Sequence, residues 1–272
     1  MPKYTNPKIP EGISSGHEHP LAEAARSSVI VIGLIAAVIV GSYLIARTVA
    51  PYVPFAWEQA LGEQMVQSET GENAVASSTQ QALAALAERV ADVSDLPADM
   101  TITVHFVESD TVNAFATLGG QIVVFEGLWN LLESENAAAM LLAHEIAHVK
   151  NRDPIRSAGG IMLASLASGV LLGDFDTIQN LVGAGNLLTA MHFSRTQETQ
   201  ADLDAATAVV RLYGHLNGGT DLFDSIRNIS KNAIQPPEFL ASHPHLDERI
   251  AHLRYQADQN GWSLDGDKTP LP

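Results

Sequence analysis

One stretch limits the fold more than any other. From Val29 to Ala46 the chain reads VIVIGLIAAVIVGSYLIA, 18 positions without a charge, and Arg47 closes it. As a helix it is about 27 Å long at about 1.5 Å per residue, close to the hydrocarbon thickness of a bilayer. Few core helices are apolar all round and bracketed by arginines, here Arg26 and Arg47. Tyr43, Tyr52, Phe55 and Trp57 fall where an interfacial aromatic belt would sit. A polar leader precedes the run, the run outlasts a signal-peptide core, and Pro51 follows the best small-residue site at Thr48 and Ala50. The reading is an uncleaved, single-pass anchor.

That anchor organises the rest. Residues 1–27 form a cytoplasmic tail, 28–47 the transmembrane anchor, 48–76 a juxtamembrane linker, 77–260 the folded domain and 261–272 a disordered tail. Lys3, Lys8 and Arg26 on the N-terminal side outweigh Arg47 on the other. The positive-inside rule then keeps the N-terminus in the cytoplasm and places the domain across a bacterial inner membrane, in the periplasm. The 272 residues carry 15 Lys+Arg against 31 Asp+Glu, a formal charge of −16. Such a surface repels nucleic acid, so none is expected as a partner. Cysteine is absent, which excludes disulfides, thiol nucleophiles and thiolate metal sites.

After the anchor the pattern is α+β, mostly helical with a small sheet. Ser77–Ala91 reads as a helix with Leu83, Leu86 and Val90 on one face. Thr101–Ser109 alternates as a strand, and Asn113–Trp129 reads as strand, Gly119-Gly120 turn and strand. Ser134 opens a helix that runs to about Asn151. Further helices are expected at about 187–212, 220–230 and 246–260. The uncharged segment Gly159–Gly173 is too short to span, at about 22 Å. It reads as a buried or cleft-edge helix, with a membrane-dipping segment as the alternative.

Inside the 134–151 helix lies LLAHEIAHVKNRD. His144 and His148 are one helical turn apart, share a face and can converge on one ion. Glu145 is rotated by about 100° and can reach a water bound to that ion. Two imidazoles on a metal and a carboxylate on its water are the parts of a zinc hydrolase. Incidental helix histidines are the structural alternative. A third ligand is needed. The His-x-x-Gly-x-x-His continuation is closed by Asn151 and Pro154. In SRTQETQADLDAA, Glu198 can ligate and Asp202 can accept a hydrogen bond from the far nitrogen of a histidine. An ordinary solvated acidic pair is the alternative there. Like charges at i,i+4 repel, so Arg195 or a metal should compensate.

Taken in order, NAF, GG, HEIAH, SRTQETQAD and SHPHLDERIAHL resemble the HtpX-like and Oma-like membrane zinc metallopeptidases, relatives of the CAAX prenyl proteases. The resemblance covers roughly Ser77 to Leu253 and implies a zincin-like (gluzincin) domain with one Zn2+ per chain. It places the ligands at His144, His148 and Glu198, the general base at Glu145 and an outer acid at Asp202. It implies peptide-bond hydrolysis of misfolded or damaged membrane and envelope proteins. A single anchor, rather than several spans, departs from HtpX itself.

His243 in SHPH enters as a residue that reaches the open metal position, blocks it, or donates to an oxyanion. Arg195 pairs with Asp202 or faces that oxyanion. The substrate is expected to lie extended along an edge strand at Gly119, Gly120, Gln121, Ile122 and Val123, pairing through its main chain. His105, His192, His215, His245 and His252 read as structural or surface residues. A catalytically silent metal-binding chaperone or scaffold is the rival function. A metallohydrolase acting on non-peptide bonds is a weaker one.

Overall fold

The computed structural model describes residues 20–70, 77–172, 192–232 and 237–271. Helix α1, Pro20–Val49, carries the apolar run and ends in a short 3-10 turn, Ala50–Tyr52. It is long and apolar enough to cross a membrane, and its apolar window turns none of its residues inward. Leu34, Ile32 and Val29 are bare.

Helix α2, Phe55–Thr70, follows where a linker is expected. It buries Phe55, Glu58, Gly62, Met65 and Val66, a stripe of helical period. Two of its five members are a glutamate and a glycine, so the stripe does not register as hydrophobic. Glu58 accepts from the Gly119 backbone and pairs with Arg152, which fastens α2 to two turns of the domain.

Helix α3, Ser78–Val93, is capped by the Ser77 side chain, which accepts from the Gln80 N–H. Three strands follow: β1 Thr103–Val107, β2 Ala114–Ala116 and β3 Gln121–Phe125. The order is β1-β3-β2, with β1 parallel and β2 antiparallel to β3. Gly119 (φ 66°) and Gly120 (φ 73°) make the β2–β3 turn, a conformation that favours residues without a Cβ. The sheet order corrects the expectation for residues 119–123. β3 has a strand on each side, and Ile122 and Val123 are fully buried, so no substrate can add there. The edge strand near the histidine helix is β2, whose Ala114 and Ala116 are buried.

After a short helix α4, Glu126–Trp129, comes α5, Glu135–Lys150, capped by Ser134. Every residue from Glu135 to Val149 is buried. α5 packs between the sheet and α7, Arg195–Tyr213. Alanines 137–139, 143 and 147 on one helix and 201, 205, 206 and 208 on the other are all buried, and small side chains let two helix axes approach closely. α7 begins at Arg195, later than 187. Ser194 and Gln197 form a capping box that fixes the start, and residues 187–191 lie outside the described residues.

Between α5 and α7, α6 spans Asp153–Leu172. Arg152 sits at φ 61° and reverses the chain, and Pro154 needs no N–H partner in the first turn of the next helix. α6 leaves the core and lies along α1, with the Tyr43 ring filling the space that a Cβ on Gly160 would take, 2.6 Å away. Of the segment from Gly159 on, which reads as buried or as lining a cleft edge, Gly160 and Ser165 are buried. Met162, Leu163 and Leu166 are exposed. Gly173 lies outside the described residues.

Helices α8, Asp221–Asn232, α9, Phe239–Ser242, and α10, Leu246–Asn260, close the domain. The C-terminal segment to residue 271 is docked rather than loose. Trp262 and Leu271 pack on the core, the Glu135 N–H donates to the Thr269 carbonyl (2.9 Å), and the Thr269 N–H to Asn136 Oδ1 (2.9 Å). The tail thus supplies a partner to one of the orphan N–H groups that open α5.

Candidate metal centre

α5 delivers His144 and His148 to one face with their Nε2 atoms 3.1 Å apart. α7 delivers Glu198, whose Oε1 is 3.3 Å from His148 Nε2 and whose Oε2 is 3.5 Å from His144 Nε2. The turn between α9 and α10 delivers His243, Nδ1 3.0 Å from Glu198 Oε1 and 3.2 Å from His144 Nε2. One donor atom from each of the four lies within 4.8 Å of the others, and all four residues are buried.

The far nitrogens are held by carboxylates. His144 Nδ1 is 3.0 Å from Asp202 Oδ1, and His148 Nδ1 is 2.9 Å from Asp153 Oδ2. Each carboxylate accepts the Nδ1 proton, which leaves two Nε2 lone pairs aimed at one another across 3.1 Å. A proton shared between them, as in a hydrogen bond, or a metal ion bound by both relieves that repulsion. The charges agree. Burial works against a charged His148, but hydrogen bonds to Asp153 and Glu198 overcome it and push the ring up to about 10. His144 is also raised: Asp202 and Glu198 outweigh burial and the Arg249 charge. Burial would raise the Glu198 carboxyl, yet three imidazoles hold it well below the usual range. Without metal, protons take up the positive charge that this donor set demands. Two imidazoles and a carboxylate are also a common donor set for catalytic zinc. The residues fit a divalent ion.

Glu145 stands beside the cluster, fully buried. Its Oε2 accepts from the Ala116 N–H of β2 at 2.7 Å. Its Oε1 has no hydrogen-bond partner among the described residues, nor has His243 Nε2, 3.6 Å away. Phe193 stacks on His148 and Phe239 on His243, fixing both rings. A cavity of about 200 Å³ opens on the Glu198 side, bordered by Pro244, His245 and Glu248.

The charge partner of the acids is not Arg195, which is exposed and pairs with Glu248 at 3.0 Å. It is Arg249 on α10. Its Nε and Nη2 donate to Asp202 Oδ2 (2.8 Å) and Oδ1 (2.6 Å), and its Nη1 is 2.8 Å from Glu198 Oε2. The guanidinium lies over the Phe223 ring. Arg249 and Asp153 are the residues that sequence reasoning passes over. Arg249 sits at the buried spacing Leu246, Arg249, Ile250, Leu253, and a charge at such a position signals a buried partner. Asp153 follows the helix break at Arg152, where helical periodicity carries no information. Glu145, His144, His148, Glu198, Asp202 and His243 are brought together. Gly119, Gly120, Gln121, Ile122, Val123 and Arg195 are not. Of the remaining described histidines, His105 bonds Gln121 and His252 bonds Gln256, outside the cluster.

This fold and this centre are those of a metallopeptidase class, and the comparisons agree. Residues 77–257 match peptidase family M48, and the chain belongs to that family. Among its relatives is a putative beta-barrel assembly-enhancing protease of Vibrio cholerae, 27% identical over 62% of this chain and 37% of that protein. A Protease HtpX homolog of Desulfatibacillum aliphaticivorans is 33% identical over 60% of this chain and 66% of its own length. The mitochondrial metalloendopeptidase OMA1 of Danio rerio is 26% identical over 76% of this chain and 45% of its own. The chain thus spans between about a third and two thirds of the length of these relatives.

Proposed function

We propose that the protein is a zinc-dependent endopeptidase held at a membrane by α1. The observation that carries the reading is the convergence of two imidazoles and one carboxylate beside a glutamate with one oxygen tethered to the Ala116 N–H and the other turned toward the cluster, 3.6 Å from His243 Nε2. His144, His148 and Glu198 would hold zinc, one ion per chain. When bound, the ion supplies a Lewis acid that acidifies a water and polarises the scissile carbonyl.

The chain's own groups do the rest. The Ala116 N–H occupies Glu145 Oε2, so Oε1 is the oxygen that takes a proton from the attacking water and passes it to the departing amine. Asp202 and Asp153 hold the His144 and His148 rings with Nε2 inward. Arg249 keeps Asp202 and Glu198 ionised and fixed. Thr117 and Asn113 make backbone hydrogen bonds with β3, so alternation turns the main-chain groups of Ala114 and Ala116 away from β3, where the Ala116 N–H meets Glu145. An extended peptide laid along that edge would reach Glu145 once it displaces the cover over the buried Ala114 and Ala116, and main-chain pairing reads side chains loosely. His243 stands among the ligands rather than apart from them, which favours a capping role in the resting site over oxyanion donation.

Flanking charge supports an N-terminus in the cytoplasm and a catalytic domain on the outer side of a bacterial inner membrane. Relatives named for β-barrel assembly support envelope and membrane proteins, damaged or misfolded, as substrates. A Glu145 carboxylate tethered beside the ligand cluster, with Oε1 3.6 Å from His243 Nε2, favours a peptidase over a silent scaffold. Glu145→Gln should retain zinc and lower casein cleavage by about 10²–10⁴-fold. Cleavage at the wild-type rate by that variant would refute the assignment.

A further inference from the structure

Gln197 lies one residue before Glu198, in the first turn of α7, and both ends of its amide are engaged. Its Oε1 accepts from the Ser194 N–H (2.9 Å), the Ser194 hydroxyl (2.8 Å) and Arg47 Nη2 (2.8 Å). Its Nε2 donates to Asp153 Oδ1 at 2.6 Å. The other Asp153 oxygen accepts the His148 Nδ1 proton at 2.9 Å. The direction of the amide is fixed, because turning it over would set its NH2 against a guanidinium and its carbonyl against a carboxylate. Arg47 closes the apolar run of α1, and its Nη1 donates to the Tyr43 hydroxyl (3.3 Å), whose ring fills the space at Gly160 of α6. Four side chains, Arg47, Gln197, Asp153 and His148, thus link the end of the apolar helix to a metal-ligating ring without a gap.

We infer that Arg47 and Gln197 are positioning residues, and that seating α1 against the domain tightens the grip of the site on its metal. The inference rests on the ligand set proposed above. Asp153 alone could swing about its side-chain torsions, since it is held at one oxygen by the ring it is meant to orient. Gln197 holds the other oxygen, and Arg47 holds Gln197. A carboxylate that accepts directly from a ligating histidine, as Asp153 does, is worth about 10–100-fold in metal affinity, and Gln197 and Arg47 act through it. The link also gives the anchor a second consequence besides location: a domain released from α1 retains its ligands but loses the outer end of the string.

The informative variant is Gln197→Glu. A glutamate at this position still caps α7 and still pairs with Arg47, but it cannot donate to Asp153 and repels it instead. A residue needed only for capping would therefore tolerate the change. The measurement is the zinc dissociation constant of the full-length protein in nanodiscs, by competition with a chromogenic chelator, beside the melting temperature of the metal-free form. Gln197→Glu should weaken zinc by about tenfold, with the metal-free form melting lower only by what repulsion between the new carboxylate and Asp153 costs. Gln197→Met, which lacks the donor but carries no charge, should not show that repulsion while still weakening zinc. Arg47→Gln, at a half-exposed position, should weaken it about threefold, and Arg47→Lys should restore part of that loss. Wild-type affinity in both Gln197→Glu and Arg47→Gln overturns the inference. Weakening by Gln197→Glu alone ends the string at Gln197 and refutes the part given to the anchor. Should Glu198→Gln bind zinc as wild type does, the ligand set has failed, and the inference falls with it for a different and separately visible reason.

Discussion

Helices α1 and α5 are both rich in aliphatic residues, yet the window of α1 that could cross a membrane buries nothing and α5 buries everything from Glu135 to Val149. The difference shows in their polar residues. α1 carries no charge between residues 29 and 46, because hydrocarbon offers no partner to one. α5 carries His144, Glu145 and His148 at full burial, because each meets a group built to receive it. Asp202 and Asp153 meet the histidines, and the Ala116 N–H meets the glutamate. A polar residue inside an apolar helix is therefore a statement about a partner elsewhere in the chain.

The strongest way to break that comparison is to take the partner's partner away. Arg249 is the main positive partner of Asp202 in the metal-free protein and adds to the imidazoles around Glu198. Arg249→Leu strands the buried Asp202 carboxylate and leaves Glu198 to its imidazoles, and breaking a buried pair in this way costs about 3–5 kcal/mol. Melting of the metal-free form should drop by roughly 10 °C at about 2–4 °C per kcal/mol. A smaller deficit is expected with zinc bound, because the ion takes over part of the compensation. If the metal-free variant melts as wild type does, pairing is not what sustains the polar residues of α5.

A milder test leaves the polar residues alone. Leu142 on α5 is fully buried between the sheet and the other helices. Leu142→Ala should cost about 2–5 kcal/mol through lost transfer energy and a residual cavity. Denaturant unfolding would measure it as a lower midpoint with little change in slope.

The two helices also mark how far sequence carries. His144, Glu145 and His148 are legible because a helix converts spacing into direction, and Glu198 and Asp202 are legible for the same reason. Their meeting is not, because it depends on the alanine seam that brings α5 and α7 together. Asp153 lies only five residues past His148, but Arg152 turns the chain by a left-handed residue, and periodicity stops there. Arg195 is nearer to Asp202 in sequence than Arg249 is, yet it faces water, whereas Arg249 lies on the buried stripe of α10. β3 reads as half of a hairpin. That β1 returns to pair with it in parallel, making β3 central and β2 the edge, is a long-range choice that a local pattern does not encode. α2 escapes for a compositional reason, since Glu58 and Gly62 stand where its buried stripe needs apolar residues.

The smallest expected effect is the sharpest on α1. Leu34 is 63% exposed and is not a member of the domain's core cluster. Leu34→Ala removes the same atoms as Leu142→Ala, from a helix of similar apolar character. If α1 faces lipid all round at this level, domain stability should change by no more than about 0.5 kcal/mol, as for substitutions that disturb no packed group. The two variants, unfolded side by side in the same micelles, read the environment of each helix through one chemical change. A loss at Leu34 approaching that at Leu142 would mean that this face of α1 is packed against protein, as it would be against a second copy of the chain. The exposure seen here would then belong to the isolated chain alone.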